Sequence, residues 1–196
     1  NYNGLQTGLT KRFSNRWQGS ATYTLGYLKD SDPLPVSGFD EVTFAVPGDL
    51  GGEYGLAETD QRHRAVFNGI LDVGGGFQVS GLYQYGSGER FANYYGGDPR
   101  RTGRSNSRLR PDGTIVPRNS LVGNPIHRVD LRLQQRIPLG PRVSATGMFE
   151  IFNVLNHENY GGYTLNESNS SYGNPTRSTN VAYLPRMAQV GFRLEF

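Results

Sequence analysis

The residues that could do chemistry are few. His63, His127 and His157 are the candidates for acid–base or metal work, because imidazole changes charge near neutral pH and binds transition metals through a free ring nitrogen. None stands at a His-x-x-x-His spacing that would present two rings to one metal. The expectation is hydrogen bonding at strand starts and loop edges, with no metal and no cofactor. The absence of cysteine excludes a thiolate metal site, a cysteine nucleophile and a disulfide framework together. Asp30-Ser31-Asp32 could open a Ca²⁺ loop, yet no glutamate follows at EF-hand spacing. Gly74-Gly75-Gly76 lacks the Lys-Ser/Thr of a phosphate loop and reads as a turn. Arg100, Arg101, Arg104, Arg108 and Arg110 form a basic cluster, the candidate contact for an anionic ligand. No Ser–His pair or paired carboxylates can be assembled, so no enzymatic activity is expected.

The elements that would position these residues are strands. In Ala188 to Phe196 the apolar row Ala188, Val190, Phe192, Leu194 and Phe196 alternates with Gln189, Gly191, Arg193 and Glu195, the period of two that marks a strand with unlike faces. His127 to Ile137, Arg142 to Phe152 and Trp17 to Leu28 repeat the pattern, and weaker versions run through Leu5 to Phe13, Arg64 to Val73 and Phe77 to Tyr85. Seven strands are expected. No helical spacing is sustained anywhere, and Gly, at 27 residues, stands at about twice its usual share. A mean hydropathy of -0.57 and short apolar runs exclude a membrane-spanning helix, which needs about 20 apolar residues. A net charge of +3, dispersed along the chain, gives no argument for a nucleic-acid partner.

Three connections are tight: Ser14-Asn15-Arg16, Gly74-Gly75-Gly76 and Pro138-Leu139-Gly140-Pro141. Three are long: Asp30 to Gln61, Glu89 to Ile126 and His157 to Pro185. Tight and long alternate, so an up-and-down meander gathers all the turns at one end and all the loops at the other. Strands of about 11 residues at about 3.3 Å each, tilted by roughly 45°, span about 25 Å, the height of an outer-membrane apolar band. Aromatics on the apolar row fall near strand ends: Phe13, Trp17, Phe77 and Phe196 by the turns, Tyr23, Tyr27, Tyr83 and Tyr85 toward the loops. That placement suits interfacial girdles. The expected fold class is therefore all-β, an antiparallel transmembrane up-and-down β-barrel segment, with the soluble sandwich as the competing architecture. Arg12, Asp72, Asp130, Arg132, Arg136, Glu150, Arg193 and Glu195 fall opposite the apolar row and are expected to face the lumen. Lys11 falls on the apolar side, close enough to a turn to snorkel.

Strand parity adds an expectation. With turns in the periplasm, an odd set of strands begins on the extracellular side, whereas complete bacterial barrels have even numbers. Residues 1–196 are thus expected to be the C-terminal portion of a larger barrel domain, with earlier strands outside this sequence.

Several segments resemble a known family. Asn3-Gly4-Leu5-Gln6 with Lys11-Arg12-Phe13 and Tyr23-Thr24-Leu25, Asp60-Gln61-Arg62-His63-Arg64 leading into Phe67-Asn68-Gly69, and Phe77-Gln78-Val79-Ser80-Gly81 into Gly86-Ser87-Gly88 are similar to late barrel hairpins of TonB-dependent outer-membrane receptors. The Oar-like branch is the nearest in pattern. Val129-Asp130-Leu131-Arg132-Leu133, Phe149 to His157 (Phe-Glu-Ile-Phe-Asn-Val-Leu-Asn-His) and Pro185 to Phe196 resemble its penultimate hairpin and closing strand. The resemblance implies a 22-stranded barrel with a plug and a TonB-interacting region, all upstream of this sequence. It implies uptake of a bulky, scarce nutrient by way of the TonB complex, with the long loops meeting an unknown extracellular ligand. Phe192, Leu194 and Phe196 would be the signal read by the barrel-assembly machinery. Outer-membrane lipid and lipopolysaccharide are the expected surroundings. A structural or adhesive barrel, or a porin-like channel without active transport, is the alternative.

Overall fold

The computed structural model describes residues 1–31, 50–98, 101, 108–176 and 184–196. Among them lie ten strands: β1 (Tyr2–Ser14), β2 (Trp17–Asp30), β3 (Gly55–Leu56), β4 (His63–Gly74), β5 (Phe77–Gly86), β6 (Arg90–Phe91), β7 (Leu121–Val122), β8 (Ile126–Pro138), β9 (Ser144–Phe152) and β10 (Met187–Glu195). The long ones pair antiparallel in chain order, β1-β2-β4-β5-β8-β9-β10, and β3 adds to β2. These are the seven strands that the alternation predicts. The meander does not close: β1 and β10 stand at opposite ends of the sheet, each with one unpaired edge.

Local chemistry sets the turns. Asn15 and Arg16 both take positive φ, 51° and 69°, the two left-handed positions of a hairpin turn whose twist matches the strands it joins. Gly74, Gly75 and Gly76 are all left-handed. A Cβ at Gly76 would lie 2.2 Å from the Arg136 carbonyl oxygen, so this turn also needs glycine to approach β8. The third turn is longer than the alternation suggests. Leu139 and Gly140 N–H groups donate to the Val143 carbonyl, which draws Arg142 and Val143 into the turn and starts β9 at Ser144.

One register carries the apolar row across the sheet. Leu9, Ala21, Phe67, Tyr83 and Val129 follow one another through successive pairs, as do Trp17, Leu71, Val79, Leu133, Phe149 and Val190. A slip of one residue in any pair would turn a whole strand over. The two irregularities lie beside tight turns, at Arg12-Phe13 and at Val73, where only the last residues of a strand feel them. The apolar row is bare: Val190 is 80% exposed, Phe192 83% and Leu9 74%. A soluble sandwich would bury this face. Buried apolar side chains instead cluster in the loops, at Ala57, Leu109, Val116 and Tyr163, with Ala65 alone buried in the long strands. Among the described residues no helix is long and apolar enough to cross a membrane.

A charge placed on each face tests this orientation. Leu131→Arg, mid-strand on the apolar row, is expected to cost about 2–4 kcal/mol of folding free energy in a bilayer. Thr22→Arg, at similar depth on the polar face, should cost less than about 1 kcal/mol. Equilibrium refolding into phospholipid vesicles measures both, and equal costs would contradict the assignment of faces.

Candidate functional site

The polar face is neutralised by pairs. Arg132 lies opposite Glu150 in the β8–β9 register and donates to it from Nε at 2.7 Å. Arg128 holds Asp130 at 2.9 Å, and the same carboxylate accepts the Asn153 N–H at 2.9 Å. Arg136 and Arg193 both meet Glu195, at 3.4 and 3.1 Å, with the Ser144 hydroxyl donating to the same acid. Asp72 caps the Gly74 N–H at 2.8 Å and faces Arg16. The structure thus brings seven of the eight residues expected on this face into four acid–base groupings, two of them completed by Arg16 and Arg128. Arg12 sits in the β1 bulge, where alternation alone no longer fixes its side. Phe196 and Phe192 are exposed along the β10 edge. Lys11 reaches the turn, donating to the Ser14 carbonyl and hydroxyl and lying over Trp17.

The long-loop end carries a folded cap. Asp60, buried to 3% exposure, accepts the Leu28 N–H at 2.7 Å and Arg90 Nε at 2.9 Å, with Arg62 beside it. Arg118 reaches across to the first long loop, donating to the Asp30 carbonyl and carboxylate and to the Glu53 carbonyl. Arg108 pairs with Glu53, and Asn119 donates to the Leu56 carbonyl. On the other side, Arg110 makes a two-point contact with Glu167 at 2.7 and 3.0 Å. The Tyr94 N–H donates to the Leu165 carbonyl and the Tyr94 carbonyl accepts the Glu167 N–H, a parallel bridge to Asn166 across the loops. Asn93, 1% exposed, accepts from the backbone of Ser120 and Leu121 and donates to Tyr172. The middle loop therefore braces both others. Burial lowers the Arg108 pKa against the attraction of Glu53, and the Glu167 hydrogen bond raises that of Arg110. Burial raises Tyr172, and hydrogen bonds from Thr114 lower Asp112.

The basic cluster resolves unevenly. Arg108 and Arg110 are committed to inter-loop ion pairs, while Arg101 is exposed in a left-handed turn. Arg100 and Arg104 lie outside the described residues, as does Asp32 of the acidic triplet.

Beside the cap, the Phe-Asn-Val-Leu-Asn-His segment folds into a turn after β9. Asn153 and Asn156 take φ 50° and 49°, conformations asparagine tolerates better than most residues. The Asn153 amide clamps the His157 backbone at both its N–H and its carbonyl. His157 then lies edge-on to His127, ring centroids 5.0 Å apart. Around them opens a cleft of about 450 Å³ lined by Asn124, Pro125, His127, His157, Glu158 and Tyr160. Tyr160 donates to Glu158, which raises its pKa. Two tyrosines repeat one motif: Tyr23 meets His63 Nδ1 at 2.8 Å and Tyr83 meets His127 Nδ1 at 2.9 Å. The sequence places the histidines at strand starts or loop edges but gives no sign that two would meet. Among the described residues no group of three or more His, Cys, Asp or Glu is arranged around a metal position.

A family profile described as "Outer membrane beta barrel domain" matches residues 1–115, more than half of the chain. No curated protein and no solved structure matches it.

Removing the most shared acid tests the cap. Asp60→Ala leaves Arg90 Nε and the Leu28 N–H without their acceptor, and is expected to lower the opening free energy of the cap by about 3–5 kcal/mol. Hydrogen exchange should show faster exchange at Leu28 and Ala57 with the β8–β9 ladder unchanged; uniform acceleration would mean the cap and sheet unfold together.

Proposed function

The chain belongs to the outer membrane beta barrel domain family, and from that premise we propose that it supplies the C-terminal strands of a TonB-dependent receptor taking up a bulky, scarce nutrient. It is an integral outer-membrane β segment. The observation that carries the reading further is the open sheet. Unpaired N–H and C=O groups along β1 and β10 would each cost several kcal/mol in hydrocarbon, which supports a barrel closed by further strands. A large barrel has a wide interior, and the acid–base pairs on the polar face suit contact with a polar plug filling it. The braced loops form a standing platform at the outer mouth, where a ligand too large to diffuse through is first met. The resemblance of the β4, β5, β9 and β10 segments to the receptor family supports the same reading.

The test uses the parent protein recovered from outer membranes. Its mass is expected to exceed 21.7 kDa several-fold, with a plug domain of about 100–150 residues upstream of the barrel, and its transport to stop when a protonophore discharges the inner-membrane gradient. A species near 21.7 kDa overturns the reading. A large barrel without a plug, and without energy dependence, favours an adhesive role instead.

A further inference from the structure

We propose that His127 and His157 form a two-imidazole site for a divalent late-transition-metal ion of the Zn²⁺, Ni²⁺ or Cu²⁺ class, on the rim of the barrel at its long-loop end. The inference stands apart from the transport reading. It begins with Asn159, buried to 3% exposure, which touches both histidines. Its Oδ1 accepts the His127 backbone N–H at 2.8 Å, and its Nδ2 donates to the His127 carbonyl at 2.7 Å. Turning the amide over would set donor against donor and acceptor against acceptor, so the oxygen is fixed by these two bonds. The same Oδ1 lies 3.0 Å from Nδ1 of His157. Nδ1 must therefore carry the hydrogen, and the neutral ring keeps its lone pair on Nε2.

His127 is held in a parallel way. Its Nδ1 meets the Tyr83 hydroxyl at 2.9 Å, which can accept Nδ1–H and leave Nε2 as the donor to a metal. No hydrogen bond among the described residues uses Nε2 of either ring. A ligating histidine whose other nitrogen is fixed by an oxygen partner is the arrangement that orients metal-bound imidazoles. The spacing agrees. An ion about 2.0–2.1 Å from one nitrogen of each ring sits about 3.2 Å from each centroid, which separates the centroids by about 4.5 Å for a right-angle pair and about 5.2 Å for a tetrahedral one. The observed separation is 5.0 Å. Imidazole nitrogen selects zinc, nickel and copper over the harder Mg²⁺ and Ca²⁺. The site is open: it faces the cleft, Glu158 and Tyr160 line its wall, and the remaining coordination positions are left to water or to donors brought by a ligand.

The fold supplies its own control. His63 has a tyrosine partner of the same kind, Tyr23, but among the described residues its ring stacks only on that tyrosine and meets no second imidazole.

Full-length protein extracted from outer membranes into detergent is titrated with Zn²⁺ by calorimetry and with Cu²⁺ by electron paramagnetic resonance. One ion per chain is expected, with splitting from two imidazole nitrogens. His127→Gln and His157→Gln should each weaken binding at least tenfold. Asn159→Ala should weaken it about 10–100-fold, and His63→Gln should leave it unchanged. Where a variant does not fold, the wild type is labelled with diethyl pyrocarbonate: Zn²⁺ should protect His127 and His157 and leave His63 reactive. Wild-type binding in the His127→Gln/His157→Gln double variant, or equal labelling of all three histidines with and without Zn²⁺, overturns the proposal.

Discussion

A backbone amide in hydrocarbon has no water to bond, so each N–H and C=O must be paired inside the protein. This demand explains why the long strands run unbroken and why every interior strand is paired on both sides. Pairing alone would permit any register. The choice is made by the side chains, because with a period of two each residue belongs to the wet or the oily side of the sheet. A slip that set Gln134 or Arg132 among Leu131 and Leu133 would carry several polar groups into lipid at once. Both bulges accordingly fall at the turn end of β1 and β4. There, one or two side chains change sides near the interface, and the cost is small.

The same demand governs how much could be read from the amino-acid sequence. Alternation is local, so the seven long strands and their order were legible from residues two apart. Their ends were less so. Nothing in Arg142-Val143 distinguishes strand from turn until Val143's carbonyl is seen turned toward Leu139 and Gly140. The three two-residue strands were invisible, since Gly55–Leu56 and the β6–β7 pair carry no period long enough to detect. The cap was hidden for a different reason. Arg108 and Arg110 look like a free basic cluster because their partners, Glu53 and Glu167, lie 55 and 57 residues away. Charge runs show local excess, whereas ion pairs depend on which loops the fold brings together.

Sheet and cap are held by different physics. The sheet gains nothing from an apolar interior, since its apolar row faces outward and its other face is lined with charge pairs. Ordinary burial is transferred to the loops, where Val116, Ala57 and Leu109 sit among buried Asp60, Glu53, Arg118 and Asn93. Such buried ion pairs contribute little net stability over an apolar equivalent, because desolvation offsets most of the attraction. What they contribute is uniqueness. Asp60 fits only where a backbone N–H and an arginine converge, so a loop docked otherwise would bury an unmatched charge. Among the described residues, Glu53 Oε2 is one of two buried polar side-chain atoms with no hydrogen-bond partner, and marks where this matching is least complete. A cap built this way is a fixed surface rather than a set of independent loops.

The histidine pair lies where these two kinds of order meet. His127 is placed by strand register, opposite Tyr85 on the face that carries the aromatic girdle. His157 is placed by side-chain bonding, through the left-handed turn that Asn153 clamps. Neither mechanism by itself brings two imidazoles together. Asn159 joins them, since one amide satisfies the strand end at His127 and sets the ring of His157. A polar residue buried at the boundary of sheet and loop would ordinarily need only one such role to justify its position. Because the bonds that fix the His127 backbone also dictate which nitrogen of His157 is protonated, the rigidity demanded by the membrane strand is passed on to the orientation of a ring in the cleft.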